Sequence, residues 1–382
     1  MIKVGLLSTC DITTGKKDSN AAVINGKYPF FTCAPDPLSI NTYCFDCDAI
    51  LLAGNNAGGN FHCQRFKGKF DAYQRTYVLT AKKGYDIDYL FYSLKINLKQ
   101  YAKKSQGSQT KFLTMKIIED FDVEDITYDE QIKLVSILKS VDSKIEINNK
   151  IINELESMAK TLYDYWFLQF EFPNEEGKPY KSSGGKMVYN EELKREIPEG
   201  WEVKKIGDLV MRNNKKFDYK SVQKNIDLSV MPSDSIAVNQ FNSSKDFSTN
   251  LFVMNKGDIL FGSIRPYLHK ACIAPCMGTF AGTVYSYAVK EEKDYNLILT
   301  TLTRKAFFDY AESCCQGTKM PVVRNESILE YKLAYNSKFA KLFNDYVNIK
   351  DSVPNLIMQN QELASLRDFL LPMLMNGQVT FK

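Results

Sequence analysis

Apolar side chains recur at alternating intervals of four and three residues along two stretches of this chain. The first comprises Leu134, Leu138, Val141, Ile145, Asn148, Ile152, Leu155, Ala159, Leu162 and Trp166. A 3.5-residue period keeps one seam of a helix facing a partner helix, although a helix packed on a globular core can show a similar stripe. Thr127 and Glu130 form a capping box at its start, and Pro173 bars its continuation. The spacing therefore predicts a helix over about 129–171, a rod of roughly 60 Å at ~1.5 Å per residue. The second stretch is Leu342, Tyr346, Ile349, Val353, Leu356, Asn360, Leu363, Arg367, Leu370 and Leu374. Here Pro354 removes a backbone donor and predicts a kink or restart, while Asn376-Gly377 supplies a stop. Each seam holds one asparagine, Asn148 and Asn360, the kind of polar seam residue that penalises wrong registers.

Ahead of each helix the pattern changes to short apolar runs separated by Gly, Asn and Pro. Strands are predicted over 43–53, 73–80, 259–264 and 284–289, followed by helices over about 87–103 and 297–314. A single gap-free offset of 210 residues relates many of these positions. It places Asp48 on Asp258, Gly68 on Gly278, Phe70 on Phe280, Tyr77 on Tyr287, Tyr85 on Tyr295 and Gln106-Gly107 on Gln316-Gly317. Two copies are too few for a solenoid, so a tandem pair of domains follows. Between them, residues 173–198 are rich in Gly, Ser and charge and read as a linker, ending in Ile197-Pro-Glu-Gly-Trp201. The fold class expected is α+β: two similar mixed α/β domains separated by two long helices that pair as an antiparallel coiled coil. The boundaries are 1–127, first domain; 128–172, first long helix; 173–200, linker; 201–335, second domain; 336–382, second long helix and tail.

Composition narrows the class. The 382 residues are 44% hydrophobic and 25% charged, which excludes wholesale disorder. No apolar run is long enough for a membrane span and no signal-peptide pattern opens the chain, so no membrane partner is expected. Nine cysteines, an odd number, suit reduced thiols and a cytoplasmic location. The net charge of +4 hides two basic blocks: 1–118 carries 16 Lys/Arg against 8 Asp/Glu, and 204–325 carries 17 against 11. Two separated basic blocks point to two surfaces for a polyanion.

Catalytic chemistry finds little support. Two histidines, His62 and His269, leave few candidates for a nucleophile–base pair. The run Ala53-Gly-Asn-Asn-Ala-Gly-Gly-Asn60 fits neither phosphate-loop pattern and reads as a glycine-rich tip or hairpin loop. Cys44, Cys47, His62 and Cys63 could satisfy a tetrahedral zinc, but the second copy lacks the pattern, and no metal is expected. What remains suits nucleic acid, because Lys and Arg lie among amide and aromatic side chains in both copies. The candidate DNA contacts are Lys16, Lys17, Lys27, Tyr28, Asn55, Asn56, Gln64, Arg65, Gln109 and Lys111 in the first copy. In the second they are Arg212, Lys215, Lys216, Arg265, Tyr267, Lys270, Lys319 and Arg324. Lysines near glycine suit phosphates, while Arg, Asn and Gln can bond base edges bidentately.

Several strings resemble the specificity subunit of type I restriction–modification systems. They are Cys10-Asp-Ile-Thr-Thr-Gly-Lys-Lys-Asp18, Asn25-Gly-Lys-Tyr-Pro-Phe-Phe31, Gly68-Lys-Phe-Asp-Ala-Tyr-Gln-Arg-Thr-Tyr77 and Gln131-Ile-Lys-Leu-Val-Ser-Ile-Leu138. To these add Ile197-Pro-Glu-Gly-Trp201 with Lys205-Ile-Gly207, and Leu370-Leu-Pro-Met-Leu-Met-Asn-Gly377. The resemblance implies two target recognition domains, each reading half of a bipartite site on double-stranded DNA. It implies helices that set the spacing and dock two modification (methyltransferase) subunits, with restriction subunits as further partners. It also implies no catalytic residues here and no cofactor on this chain, S-adenosylmethionine belonging to the modification subunits. The alternative is a coiled-coil interaction scaffold that never reads DNA.

Overall fold

The computed structural model describes all residues except 1, 57, 58, 60, 106–110, 219, 220, 318 and 376–382, and gives no side-chain account of 99–102. The architecture is mixed α/β with two long helices, and the chain divides into two compact units: 1–143 with 364–382, and 144–363. Among the described residues, no helix is long and apolar enough to cross a membrane.

The first unit is built on a six-stranded sheet. Its order is Cys10–Thr14, Thr76–Ala81, Phe45–Ala53, Cys63–Ala72, Tyr28–Phe31 and Leu38–Ile40, antiparallel but for the Tyr28–Phe31 pairing with Cys63–Ala72. The central strand Phe45–Ala53 buries both faces along its second half, which is why its sequence reads as a continuous apolar run rather than an alternation. Helix Ile87–Lys104, capped by the Asp86 carboxylate on the Asp88 and Tyr89 N–H groups, packs on one face of this sheet. On the opposite face Phe31, Phe45, Phe66 and Phe70 form a smaller aromatic cluster. In the second unit a four-stranded sheet runs Val210–Asn213, Val284–Val289, Ile259–Gly262, Ala271–Ile273. A further sheet runs Asn242–Ser243, Lys224–Ile226, Gly278–Ala281, Leu251–Met254.

The duplication is real but not gap-free. Strand Lys3–Gly5 pairs with Asp122–Glu124, and Glu202–Lys205 pairs with Lys332–Tyr335, in the same register. The Leu6 N–H donates to Phe121 and the Ile206 N–H to Tyr331; the Lys82 N–H donates to Thr9 and the Lys290 N–H to Leu209. Equivalents therefore drift from 200 apart (Leu6, Ile206) through 208 (Lys82, Lys290) to 210 (Phe121, Tyr331). Tyr77 answers to Tyr285 and not to Tyr287, because the cross-strand partners shift with it. The extra residues of the second copy lie between Asn213 and Ile259, a segment that supplies three strands of the further sheet.

Other boundaries also move. Residues 173–198 are not a structureless linker: Met187–Asn190 and Arg195–Pro198 form a hairpin, and Ile197 is buried in the core of the second unit. Leu193 and Met187 pack against that core too, so the segment's apolar minority outweighs its loop-like composition. The helix expected over 297–314 is two, Tyr295–Thr303 and Lys305–Ser313, broken where Arg304 turns extended and its guanidinium reaches Asp164 (3.1 Å).

The first long helix spans Tyr128–Tyr163 and relaxes into a π-turn over Asp164–Leu168, short of the expected end. Its capping box forms, with the Thr127 N–H donating to Glu130 Oε2 (2.9 Å). The second heptad stretch is two helices, Ser337–Tyr346 and Ile349–Met375. The break falls at Val347–Asn348, where the Asn348 side chain caps the Asp351 N–H, and not at Pro354. Pro354 lies early in the second helix, close to the turn whose N–H groups lack intrahelical acceptors. Tyr346 faces solvent at 62% exposure, and Phe343 takes the buried position. The Asn376-Gly377 stop lies outside the described residues.

The remaining seam residues turn inward in each unit. Leu134, Leu138 and Leu370 join one core with Leu371 and Leu374, beside an Arg367–Asp142 ion pair (2.9 Å). In the other unit Ile152, Leu155, Leu162, Ile349 and Leu356 share a core with Val353 and Ile357. There Asn148 Nδ2 donates to Gln359 Oε1 and Asn360 Oδ1, both at 2.8 Å, and Asn360 Nδ2 donates to Asn149 Oδ1. Val141 is buried; Ile145 and Leu363 are half-buried.

Candidate nucleic-acid interface

Each unit builds the same loop base. In the first, the strand Phe45–Ala53 ends at Gly54, whose N–H donates to Arg75 (2.9 Å) and whose carbonyl accepts from Leu113 (2.8 Å). The Tyr77 hydroxyl donates to the Leu113 carbonyl (2.8 Å). This closes a short ladder in which Asn55 and Asn56 pair with Phe112 and Lys111. In the second unit the Ser263 N–H donates to Thr283 (3.0 Å), its carbonyl accepts from Val323 (2.9 Å), and the Tyr285 hydroxyl donates to Val323 (3.1 Å). Ile264 pairs with Val322 where Asn55 pairs with Phe112. A buried strand end, a tyrosine latch and a returning segment thus hold two loops side by side in both copies.

The loop bases gather part of the expected set. In the first unit Asn55, Asn56 and Lys111 come together, and Gly59 (φ +71°) lies against the Lys111 stem, where a Cβ would sit 3.2 Å from Cγ. Gln109 lies outside the described residues. Arg75, which sequence reasoning missed, joins them with its guanidinium 5.2 Å from the Phe112 ring centre. Its signal was available, since Arg75 sits in the turn before Tyr77, but no periodicity marks a turn residue. In the second unit the Arg265 N–H donates to Pro321 (2.8 Å), bringing the exposed Arg265 and Tyr267 beside the Lys319–Arg324 segment. Arg212 is exposed and lies 4.7 Å over the latch ring Tyr285. Arg324 is exposed at the start of helix Asn325–Leu329.

Other candidates are elsewhere. Lys215 and Lys216 border strand Leu251–Met254 of the further sheet. Lys16 and Lys17 stand by the Tyr73 turn. Lys27 lies 5.4 Å over Tyr28, which packs on Tyr43 (5.0 Å), while Lys69 lies 4.7 Å over Tyr43. This second aromatic-basic patch was only half visible, because Lys69 and Tyr43 are remote in sequence from Lys27.

Three expected contacts are spent internally. Arg65 pairs with Asp48 and Asp88, and Lys139 also reaches Asp88, so its half-buried guanidinium ties the sheet to both helices. Burial alone would lower the Arg65 pKa, but the Asp48 and Asp88 carboxylates outweigh it and hold the group firmly charged. Gln64 donates from Nε2 to the Pro35 carbonyl (2.6 Å), and Lys270 donates from Nζ to the Leu228 carbonyl. Basic and amide residues within a strand or beside a buried acid are recruited by the fold before any ligand arrives.

Neither histidine is poised as a base. His62 shares Nε2 with the Ala34 carbonyl (2.9 Å), and desolvation lowers its pKa. His269 stacks on Phe308 and pairs through Nδ1 with Asp234 (2.7 Å). Among the described residues no group of three His, Cys, Asp or Glu is arranged to hold a metal ion. Cys44 instead donates to the buried Asp71 (2.9 Å), and desolvation followed by that carboxylate pushes its pKa up to about 12.

Residues 6–157 match the family model described as type I restriction modification DNA specificity domain. The chain is 26% identical to the Type I restriction enzyme EcoDI specificity subunit of Escherichia coli, over 84% of this chain and 74% of that protein. It is 27% identical to the Type I restriction enzyme MjaIX specificity subunit of Methanocaldococcus jannaschii, over 79% and 71%. In fold it is similar to the crystal structure of a type I restriction–modification S subunit from M. genitalium, with a TM-score of 0.58. That match has 14% identity over 100% of this chain and 96% of the other.

Proposed function

This chain belongs to the specificity subunits of type I restriction–modification systems, and on that premise we propose that it is the DNA-reading, non-catalytic member of such a complex. Each unit would serve as a target recognition domain and read one half of a bipartite site on double-stranded DNA. The observation that carries this reading is the repeated loop base, in which equivalent hydrogen bonds close around Tyr77 in one unit and Tyr285 in the other. A fold that builds one cradle twice and sets cations at each is organised for two similar ligands. Two halves of one duplex meet that description.

The long helices would act as an antiparallel spacer. Within one unit Asp142 pairs with Arg367, and within the other Asn148 bonds Asn360, contacts between the two long helices that support this reading. Linking two readers makes the second contact intramolecular and converts two modest affinities into a selective one. Only half-sites at the matching separation and rotation can be held together. Two modification subunits would dock on the helices and bring S-adenosylmethionine, with restriction subunits joining them, in the cytoplasm. This chain would contribute recognition alone.

The test is to map methylated adenines in a host expressing the modification subunit with and without this chain. A bipartite motif that appears only with the chain is expected. Inserting residues into the middle of helix Tyr128–Tyr163 should alter or abolish the preferred gap in that motif. Methylation independent of the chain, or a gap indifferent to the insertion, defeats the reading, and an assembled complex with no salt-sensitive duplex binding favours a pure scaffold instead.

A further inference from the structure

The second unit carries a strained turn that its neighbours hold in place. Pro266–Leu268 form one 3-10 turn bracketed by Arg265 (φ 53°) and His269 (φ 50°), two non-glycine residues in the left-handed region. Side chains rarely adopt that conformation, and it persists only where the surroundings over-determine it. Here they do. The Arg265 N–H donates to Pro321 (2.8 Å), the His269 N–H to Pro266 (2.8 Å), and the Asp234 N–H to the His269 carbonyl (3.1 Å). The His269 ring is held by Asp234 and lies on Phe308 at 4.8 Å, while Lys270 anchors to Leu228. Pro266 is buried beneath the turn.

What this clamp displays is apolar. Tyr267 is 47% exposed and Leu268 38%, and Met320, next to the Pro321 that accepts from Arg265, is 54% exposed. Around them stand the exposed cations Arg265 and Lys319. A loop serving only to attract phosphate needs neither the strain nor the apolar tip. A rigid apolar tip ringed by cations suits entry between stacked bases, with the cations seated on the flanking phosphates.

We propose that Tyr267 and Leu268 form a wedge that unstacks one base step in the half-site held by the second unit. The inference rests on the DNA-reading function and adds a distortion step that the first unit does not share, since its corresponding run 54–60 reads Gly-Asn-Asn-Ala-Gly-Gly-Asn and holds no bulky apolar residue. Sequence choice at that step then follows from how readily the step unstacks rather than from hydrogen bonds to its edges.

The experiment uses the complex with its modification subunits and duplexes bearing the mapped site. 2-Aminopurine is substituted one position at a time, away from the methylated adenines. A several-fold fluorescence rise is expected at one step of one half-site only, and its loss is expected in Tyr267→Ala combined with Leu268→Ala. Tyr267→Phe, which keeps the ring, should retain the rise. Leu268→Gln serves in place of the paired alanines if their melting curve shows loss of fold. Binding by anisotropy without brightening at any step, or brightening that survives in the paired variant, overturns the wedge while leaving the reading function intact. A wild-type complex that does not bind the mapped duplex overturns both.

Discussion

Replacing Asn148 with leucine should leave the stability of the second unit nearly unchanged, although it removes two hydrogen bonds. Asn148 is fully buried, and its Nδ2 donates two hydrogen bonds, to Gln359 and Asn360. Its Oδ1 is buried with no partner among the described residues. Losing two neutral hydrogen bonds costs about 1 kcal/mol each, and the released acceptors on the exposed Gln359 and half-buried Asn360 can turn to water. Against this, removing the orphaned carbonyl oxygen recovers ~1–3 kcal/mol of desolvation, and burying a leucine side chain contributes ~1.5–3 kcal/mol. Part is lost again to crowding from the larger side chain, ~1–3 kcal/mol. These terms nearly cancel, so the net expectation for Asn148→Leu is a change within about 1 kcal/mol of zero, or within roughly 4 °C in Tm for a unit of this size. Asn148→Asp makes the opposite case: a carboxylate facing two amide oxygens should cost about 3 kcal/mol at neutral pH. Acidification should relieve that loss, since burial raises the carboxyl pKa and protonation restores a neutral donor. Paired urea and thermal unfolding curves measure both variants. A drop of more than about 1 kcal/mol for the leucine variant would refute the argument that this amide is retained for register rather than for stability.

Four further outcomes follow. Tyr77→Phe and Tyr285→Phe should each lower protection of their own loop base by about 1 kcal/mol, read as faster hydrogen exchange at the Leu113 or Val323 amide respectively, with the other copy unchanged. Burial would raise the Asp88 carboxyl, but hydrogen bonds and charge from Lys139 and Arg65 outweigh it and hold its pKa below the ordinary range. A depressed folded pKa stabilises above the unfolded value and is lost as pH falls through the folded one, so Asp88→Asn should flatten the acid limb of stability below about pH 4. Thr127→Ala should cost about 1 kcal/mol by removing the helix cap, measured by denaturant midpoint. Lys111→Ala and Lys319→Ala should weaken duplex binding alike on all sequences and reduce the salt slope by about one each; a loss confined to one base would identify a base contact instead.

The heptad seams made the two long helices legible, because a 3.5-residue period is a local property that survives in any context supplying a partner. So did the buried strand Phe45–Ala53 and the cap at Thr127, which depend on near neighbours. The duplication was visible as a tendency, yet its register was not. Loop insertions shift equivalents without changing strand character, so a single offset sets Tyr77 on Tyr287, whereas cross-strand pairing sets it on Tyr285. Composition marked residues 173–198 as a linker, but whether Leu193, Met187 and Ile197 find a core to join depends on surfaces built by distant segments. The same reason separates the cations. Arg65 and Lys270 look like Arg75 and Arg265 along the chain, and only the fold decides which of them meets a carboxylate or carbonyl and which faces open solvent. Periodicity and caps are written in neighbouring residues, whereas a side chain's partner is chosen by chain segments far away in sequence.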